Sequence, residues 1–322
     1  MKILITGIAG FVGSHLAERL ADLDHEVVGI DCFTDYYSPA LKRLNAEDVQ
    51  GKGIFIHELD LAADDLTAAL AGVELIYHLA GQPGISATTP FEDYVKNNIT
   101  ATHRLLEAGK RLSSLKCFIN ISTSSVYGKH ATDSEGIPPK PTSYYGVTKL
   151  AAEQLVLACQ REQQIPACSL RLFSVYGPRE RPEKLYPKLI RSILADAPFS
   201  LYEGSETHSR SYTFVDDIIE GFVAVLNNLD RVEGEIFNIG SDVEMTTGEG
   251  IRIVEKILGK QARKVIKPKR PGDQLRTHAN ISKARKLLGY KPTTTLEEGL
   301  IAEVTWYKER VFGQGVSVCN SS

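Results

Sequence analysis

An apolar run, Lys2-Ile-Leu-Ile-Thr6, leads straight into Gly7-Ile-Ala-Gly-Phe-Val-Gly13, and no other stretch restricts the fold so strongly. A phosphate pair can approach a backbone only where side chains are absent, which gives Gly7, Gly10 and Gly13 turn, contact and packing positions. Residues 11–20 carry helical periodicity, so the amides of Phe11 and Val12 would point at the anion. A second strand, Glu26-Val-Val-Gly-Ile-Asp31, follows within a single βαβ length. Glycine-rich turns are common; it is the strand, turn, helix and strand in this order that predict a dinucleotide site. Asp31 lies about 20 residues beyond the glycines, where a carboxylate accepts from the adenosine ribose hydroxyls. Its charge would repel a 2′-phosphate, and Cys32 and Phe33 supply no cation, so NAD is favoured over NADP. The competing reading of Asp31 is a solvated carboxylate at a strand end.

Strand candidates recur at 2–6, 26–31, 53–57, 74–79, 115–121 and 167–173, with amphipathic stretches at about 12–22, 64–71, 91–111 and 144–164. Such alternation, with strands apolar almost throughout, predicts an α/β fold with a doubly wound parallel sheet. After Phe173 the elements shorten: strands at 198–202, 211–214, 235–239 and 263–266, and helices near 183–195, 215–229, 246–258, 282–288 and 296–311. A chain of 322 residues suits two closely associated domains. The expected division is a dinucleotide-binding domain over 1–176, with a return of the chain at about 212–240, a smaller α/β substrate domain over 177–312, and a frayed tail over 313–322.

Composition narrows the partners. A formal charge of −3, spread along the chain, offers no basic stripe to nucleic acid or a membrane surface. No run approaches a membrane span, and the first residues are a charged start and a strand rather than a signal peptide. Five cysteines without a Cys-x-x-Cys pair argue against a disulfide framework or a structural zinc site, and fit a reducing cytoplasm. No metal site is expected.

Tyr145 and Lys149 stand four apart in Ser-Tyr-Tyr-Gly-Val-Thr-Lys, on one face of a helix. An ordinary tyrosine is a poor base at neutral pH; a nearby ammonium and a positive nicotinamide ring would both favour its phenolate. Such a pair could take a proton from a sugar hydroxyl while hydride leaves the same carbon. Spacing alone more often marks surface packing, and it is the place between the fifth and sixth strands that favours chemistry. Thr123 ends a strand in the run Ser122-Thr-Ser-Ser-Val-Tyr-Gly128, where its hydroxyl could orient or relay the same proton. Alternatively these hydroxyls simply cap the strand and turn.

Together, Gly-x-x-Gly-x-x-Gly at 7–13, Asp31, His-Leu-Ala-Gly at 78–81, Asn97-Asn98, the 122–128 run, Tyr145-x-x-x-Lys149, Arg-Ser-Tyr-Thr-Phe-Val-Asp-Asp at 210–217 and Arg270-Pro-Gly-Asp273 resemble the extended short-chain dehydrogenase/reductases. Within them the closer similarity is to nucleotide-sugar epimerases and dehydratases, and it covers nearly the whole chain. The resemblance implies a Rossmann fold, with Asp60 and Leu61 bordering the adenine and Ala80 and Gly81 near the nicotinamide. It implies that Asn98 braces the site and that Ser122 lies on the cofactor side. It also implies that Arg210 meets the substrate diphosphate, and that Arg270 and Asp273 hold the diphosphate and ribose of a UDP moiety. Arg179 and Arg181 are expected to face the cleft, Arg181 as a substrate contact. Family members dimerise through helices matching 91–111 and 144–164, which implies a homodimer.

The loop at 122–128 separates the related reactions. Dehydratases resemble Ser-Thr-Asp-Glu-Val-Tyr-Gly and UDP-glucuronate decarboxylases Ser-Thr-Ser-Glu-Val-Tyr-Gly, whereas this chain has Ser124 and Ser125. Without a carboxylate at either place, 4-epimerisation with recycled NAD is the simplest outcome. The whole motif set looks most like UDP-glucuronate 4-epimerases, with Thr123, Ser124, Ser125 and Ser174 expected to donate to the sugar carboxylate. The alternatives are a 4-epimerase of UDP-glucose or UDP-N-acetylglucosamine, and a UDP-glucuronate decarboxylase.

Overall fold

The structure, a computed structural model, describes residues 1–84, 88–269 and 276–316. Its centre is a seven-stranded parallel sheet. The strands are β1 (Lys2–Thr6), β2 (Glu26–Asp31), β3 (Phe55–Glu58), β4 (Leu75–His78) and β5 (Cys117–Thr123), then Ala167–Leu172 and Ile236–Ile239. In space β3, β2, β1, β4 and β5 follow in that order, and the last two strands continue beyond β5. From β1 the chain winds outward to β3, then restarts on the other side at β4. The crevice over the carboxyl ends of β1 and β4 is thus the switch point, where open α/β sheets bind ligands.

Alternation along β1 explains its unbroken hydrophobicity. Ile3 and Ile5 enter one core layer with Leu16, Leu20 and Tyr77, while Leu4 enters the opposite layer with Ile76, Leu105 and Phe118. A strand covered on both faces needs apolar residues at every position.

The strands fall within two residues of expectation, whereas residues 32–52 carry no predicted element. The structure has a helix there, α2 (Pro39–Gly51), opened by a proline in its first turn. Its buried face mixes Leu41, Ala46 and Val49 with Lys42 and Asn45, so the apolar period is broken by two buried polar residues. The expected helix at 64–71 contracts to Thr67–Leu70. The one at 91–111 is a helix interrupted by a wider π turn at Val95–Thr100.

Past Leu172, a small sheet sets Ser209–Arg210 between Met245–Thr246 and Arg276–Thr277, with His130–Ala131 on its far edge. The chain then re-enters the large unit. Helix Val215–Leu226 lies on α1 (Phe11–Asp22), and the Tyr77 hydroxyl donates to the Phe222 carbonyl at 2.9 Å. Among the described residues no helix is long and apolar enough to cross a membrane. Cys32, Cys117, Cys159 and Cys168 are unpaired, and Cys319 lies outside the described residues.

Candidate active site

The glycine turn closes on itself tightly. Gly7, at φ +71°, donates its N–H to the Ile30 carbonyl at 2.8 Å, and Gly10 donates to the Gly7 carbonyl at 3.0 Å. A Cβ on Gly7 would stand 2.9 Å from the Ala80 nitrogen, and one on Gly13 only 2.2 Å from the Gly7 oxygen. Phe11 and Val12 open α1, whose first turn holds no acidic residue. The result is a side-chain-free cradle at a helix N-terminus, which fits the diphosphate of a dinucleotide.

Asp31 ends β2 nearly buried. Its two oxygens accept from the Ala9 N–H at 3.1 Å and the Phe33 N–H at 2.9 Å, which leaves lone pairs for ribose hydroxyls. Burial pushes this carboxyl up from its ordinary range, and Lys42 together with the two amides draws it back. Cys32 and Phe33 supply no cation, but α2 brings two whose charge reaches Asp31. Lys42 donates to the Thr34 carbonyl and hydroxyl at 2.7 and 2.8 Å. Arg43 lies 3.7 Å over the Phe33 ring with its fork closed on Glu58 at 3.0 and 2.7 Å. Asp31→Asn should weaken NAD binding by about 10–100-fold, the loss expected for hydrogen bonds to a charged group. Calorimetric titration with NAD measures it.

Asp60 pairs with Lys96 at 2.8 Å and accepts from the Ala62 N–H, while Leu61 is buried in the core beside Val28 and Ile30. Ala80 donates its N–H to the Thr6 hydroxyl at 3.2 Å. The same hydroxyl meets His78 Nδ1 at 2.8 Å, and His78 Nε2 meets the Thr102 hydroxyl at 2.8 Å. Burial lowers His78 to about 3, so it bridges the two as a neutral ring. Asn98, inside the π turn, accepts from the Gln82 N–H at 2.7 Å and donates to the Thr148 hydroxyl at 3.0 Å. Its carbonyl oxygen stands 2.7 Å from where a Cβ on Gly81 would lie. Gln82, which sequence reasoning missed, had no motif to mark it.

Helix Tyr144–Arg161 begins with Ser143, whose hydroxyl accepts from the Gly146 N–H at 3.1 Å. A Cβ on Gly146 would sit 2.7 Å from the Ser125 carbonyl oxygen, so only glycine lets the helix start approach the 122–128 loop. This contact sets Tyr145 close to Thr123, whose hydroxyl favours the phenolate. Burial raises the Tyr145 phenol above its ordinary value, while Thr123 and the Arg181 charge pull it down. Arg181, from a separate loop, is thus a cation that favours the phenolate. Lys149, one turn on, is nearly buried and lowered to about 8 by burial, with Glu153 supporting its charge.

The remaining candidates lie around this centre. Ser124 is buried, Ser125 donates its N–H to the Thr123 hydroxyl at 3.2 Å, and the Ser122 hydroxyl is buried without a hydrogen-bond partner. Ser174 holds a strained φ of +25°, an uncommon state for a residue with a side chain. Arg210 is half-buried in the small sheet. Arg181 pairs with Glu183 at 3.2 Å and lies 5.8 Å over the Tyr36 ring. Arg179 does not face the cleft: at φ +70° it turns away to Glu18 and Asp48, at 2.8 and 2.9 Å. Arg270 and Asp273 lie outside the described residues.

A parallel sheet in this order, with a glycine cradle and a ribose-facing carboxylate at its switch point, defines a dinucleotide-binding α/β protein. Residues 3–240 match the NAD dependent epimerase/dehydratase family. The chain belongs to that family, and its cofactor is NAD. An uncharacterized UDP-glucose epimerase of Bacillus subtilis is 39% identical over 98% of this chain and its own full length. A UDP-glucuronate 4-epimerase of Arabidopsis thaliana is 35% identical over 95% of this chain and 75% of its own. Among solved structures, the UDP-glucuronic acid 4-epimerase of Bacillus cereus, in complex with UDP-glucuronic acid and NAD, superposes with a TM-score of 0.91. It is 41% identical over 96% of this chain and 99% of its own.

Proposed function

We propose that this protein is a UDP-glucuronate 4-epimerase, interconverting UDP-glucuronate and UDP-galacturonate. The observation that carries the reading is Tyr145 held close to Thr123, beside a loop whose next two residues, Ser124 and Ser125, are hydroxyls rather than acids. Tyr145 takes the proton of the sugar 4-hydroxyl, and Thr123 orients it. When bound, NAD would supply reversible hydride chemistry at C4, with return to the opposite face of the 4-keto sugar giving the epimer. Lys149 and Arg181 supply the positive field that a phenolate needs. Elimination would call for an acid–base pair at 124 and 125, which this chain lacks. Ser124, Ser125, Ser174 and Thr123 donate to the uronate carboxylate, holding it away from the geometry that expels carbon dioxide from a β-keto acid.

Gly7, Gly10, Phe11, Val12 and Gly13 hold the NAD diphosphate, Asp31 its ribose, Asp60 and Leu61 the adenine edge. Ala80, Gly81, Asn98 and Ser122 line the nicotinamide side. Arg181 and Arg210, with Arg270 and Asp273, hold the nucleotide of the substrate. The cofactor thus belongs to residues 1–176 with 212–240, and the UDP-sugar to 177–312. Exposed Phe91 and Tyr144, with rings 5.0 Å apart, and exposed Val147 make an apolar face on the two helices. We assign that face to a homodimer, and the unpaired cysteines suit a cytoplasmic protein.

Purified protein incubated with NAD and UDP-glucuronate should form UDP-galacturonate with no steady change in nicotinamide absorbance. A UDP-pentose product would make it a decarboxylase, and turnover of UDP-glucose alone a neutral-sugar epimerase. The pH profile follows from Lys149. Its ammonium is present below a pKa of about 8 and lost above it, so kcat/KM should fall as pH rises through that value. Initial rates across a pH series measure this alkaline limb.

A further inference from the structure

Behind Lys149 lies a buried ion pair that the reaction does not itself consume. Glu153, one turn along the same helix, is 0% exposed, and Arg171, on the neighbouring strand, is 1% exposed. The guanidinium grips the carboxylate as a fork, with Nε to Oε2 at 3.0 Å and Nη2 to Oε1 at 2.6 Å. Its remaining arm donates to the Tyr127 hydroxyl at 2.8 Å, which donates in turn to Asn238 Oδ1 at 2.8 Å. Tyr127 closes the loop that carries Thr123, Ser124 and Ser125. The pair therefore ties the helix bearing Tyr145 and Lys149 to the loop bearing the hydroxyls, with the strand 236–239 as backing.

A buried pair replaceable by apolar residues at little cost in stability is poor evidence of a purely structural role. Its orientation is informative. The carboxylate stands at the i, i+4 position to Lys149, and the guanidinium points away toward Tyr127. Resting on the assignment of Tyr145 and Lys149 above, we propose that Glu153 and Arg171 are positioning residues for the epimerase reaction. The negative end of their dipole keeps the Lys149 ammonium charged, and the positive end locks the hydroxyl loop in register. The other groups facing Lys149 do not supply that charge. His78, from β4, is neutral; Asn98 is uncharged; Arg181 acts on the Tyr145 side. Burial opposes the ammonium, and Glu153 is the group that supports it.

The test is the paired variant Glu153→Gln with Arg171→Met, which removes both charges of the pair together. Its alkaline limb should move down by about one pH unit, the lower end of what an opposite charge within a few ångströms contributes. NAD binding should persist. A variant that loses turnover equally at every pH, with its limb in place, overturns the proposal and leaves a structural pair. Should the paired variant not fold, Glu153→Asp keeps the charge but withdraws it: a lowered limb supports the proposal, and an unmoved one overturns it. Lys149→Met separates the two readings. If that variant turns over at the wild-type rate, the Lys149 assignment itself fails. If it is inactive while the paired variant keeps its limb, only the positioning role fails.

Discussion

Replacing Tyr145 by Phe should lower kcat by about 10²–10⁴-fold, the usual contribution of a positioned general base. The ring keeps its place and only the hydroxyl that meets Thr123 is lost, so NAD affinity and unfolding midpoint should stay near wild type. Product formation from UDP-glucuronate, set beside an NAD titration, checks both halves. Turnover within about tenfold of wild type would move the base elsewhere. Among the described residues the neighbouring groups are the hydroxyls of Thr123, Ser124 and Ser125, the cations Lys149 and Arg181, and the Tyr94 phenol, which is engaged with the Gly84 carbonyl at 2.8 Å. The variant also isolates a conflict in the free protein. Burial raises the phenol, and Thr123 and Arg181 only partly offset this, so the bound cofactor's positive ring is needed to favour the phenolate.

The largest expected loss of stability comes from Arg171→Met. It leaves the Glu153 carboxylate, fully buried, with the Ser169 hydroxyl at 3.4 Å and the Lys149 charge one turn away, and removes the donor to Tyr127. Breaking a buried pair from one side typically costs about 3–5 kcal/mol, because the surviving charge loses its hydrogen-bonded counter-ion and has no water to replace it. Denaturant unfolding measures the cost. Adding Glu153→Gln should recover most of it, giving a large coupling energy in the double-mutant cycle. A single variant as stable as wild type would mean that Glu153 takes up a proton there with little penalty.

Much of this site was legible in the sequence because its causes are local. The glycines at 7, 10 and 13 mark places where a Cβ meets backbone, and Ser143 followed by Gly146 marks a capped helix start that places Tyr145 and Lys149 on one face. Helix α2 was not legible, since buried Lys42 and Asn45 interrupt its apolar stripe. With it the sequence also hid the cations beside Asp31, which come from a segment that no motif marks.

Residue type and spacing determined the parallel α/β sheet, the dinucleotide cradle, the Tyr145–Lys149 pair and the acid-free loop. Each depends on neighbours within a turn or on apolar runs, so the chain states them directly. Tertiary structure alone decided which of two arginines faces the cleft. Arg179 and Arg181 stand in one short motif, and a left-handed backbone at Arg179 sends it to Glu18 and Asp48, leaving Arg181 beside Tyr145. It alone also joined Glu153 to Arg171, 18 positions apart on a helix and a strand. A charge buried at long range finds its partner through packing, and packing leaves no local signature in the sequence.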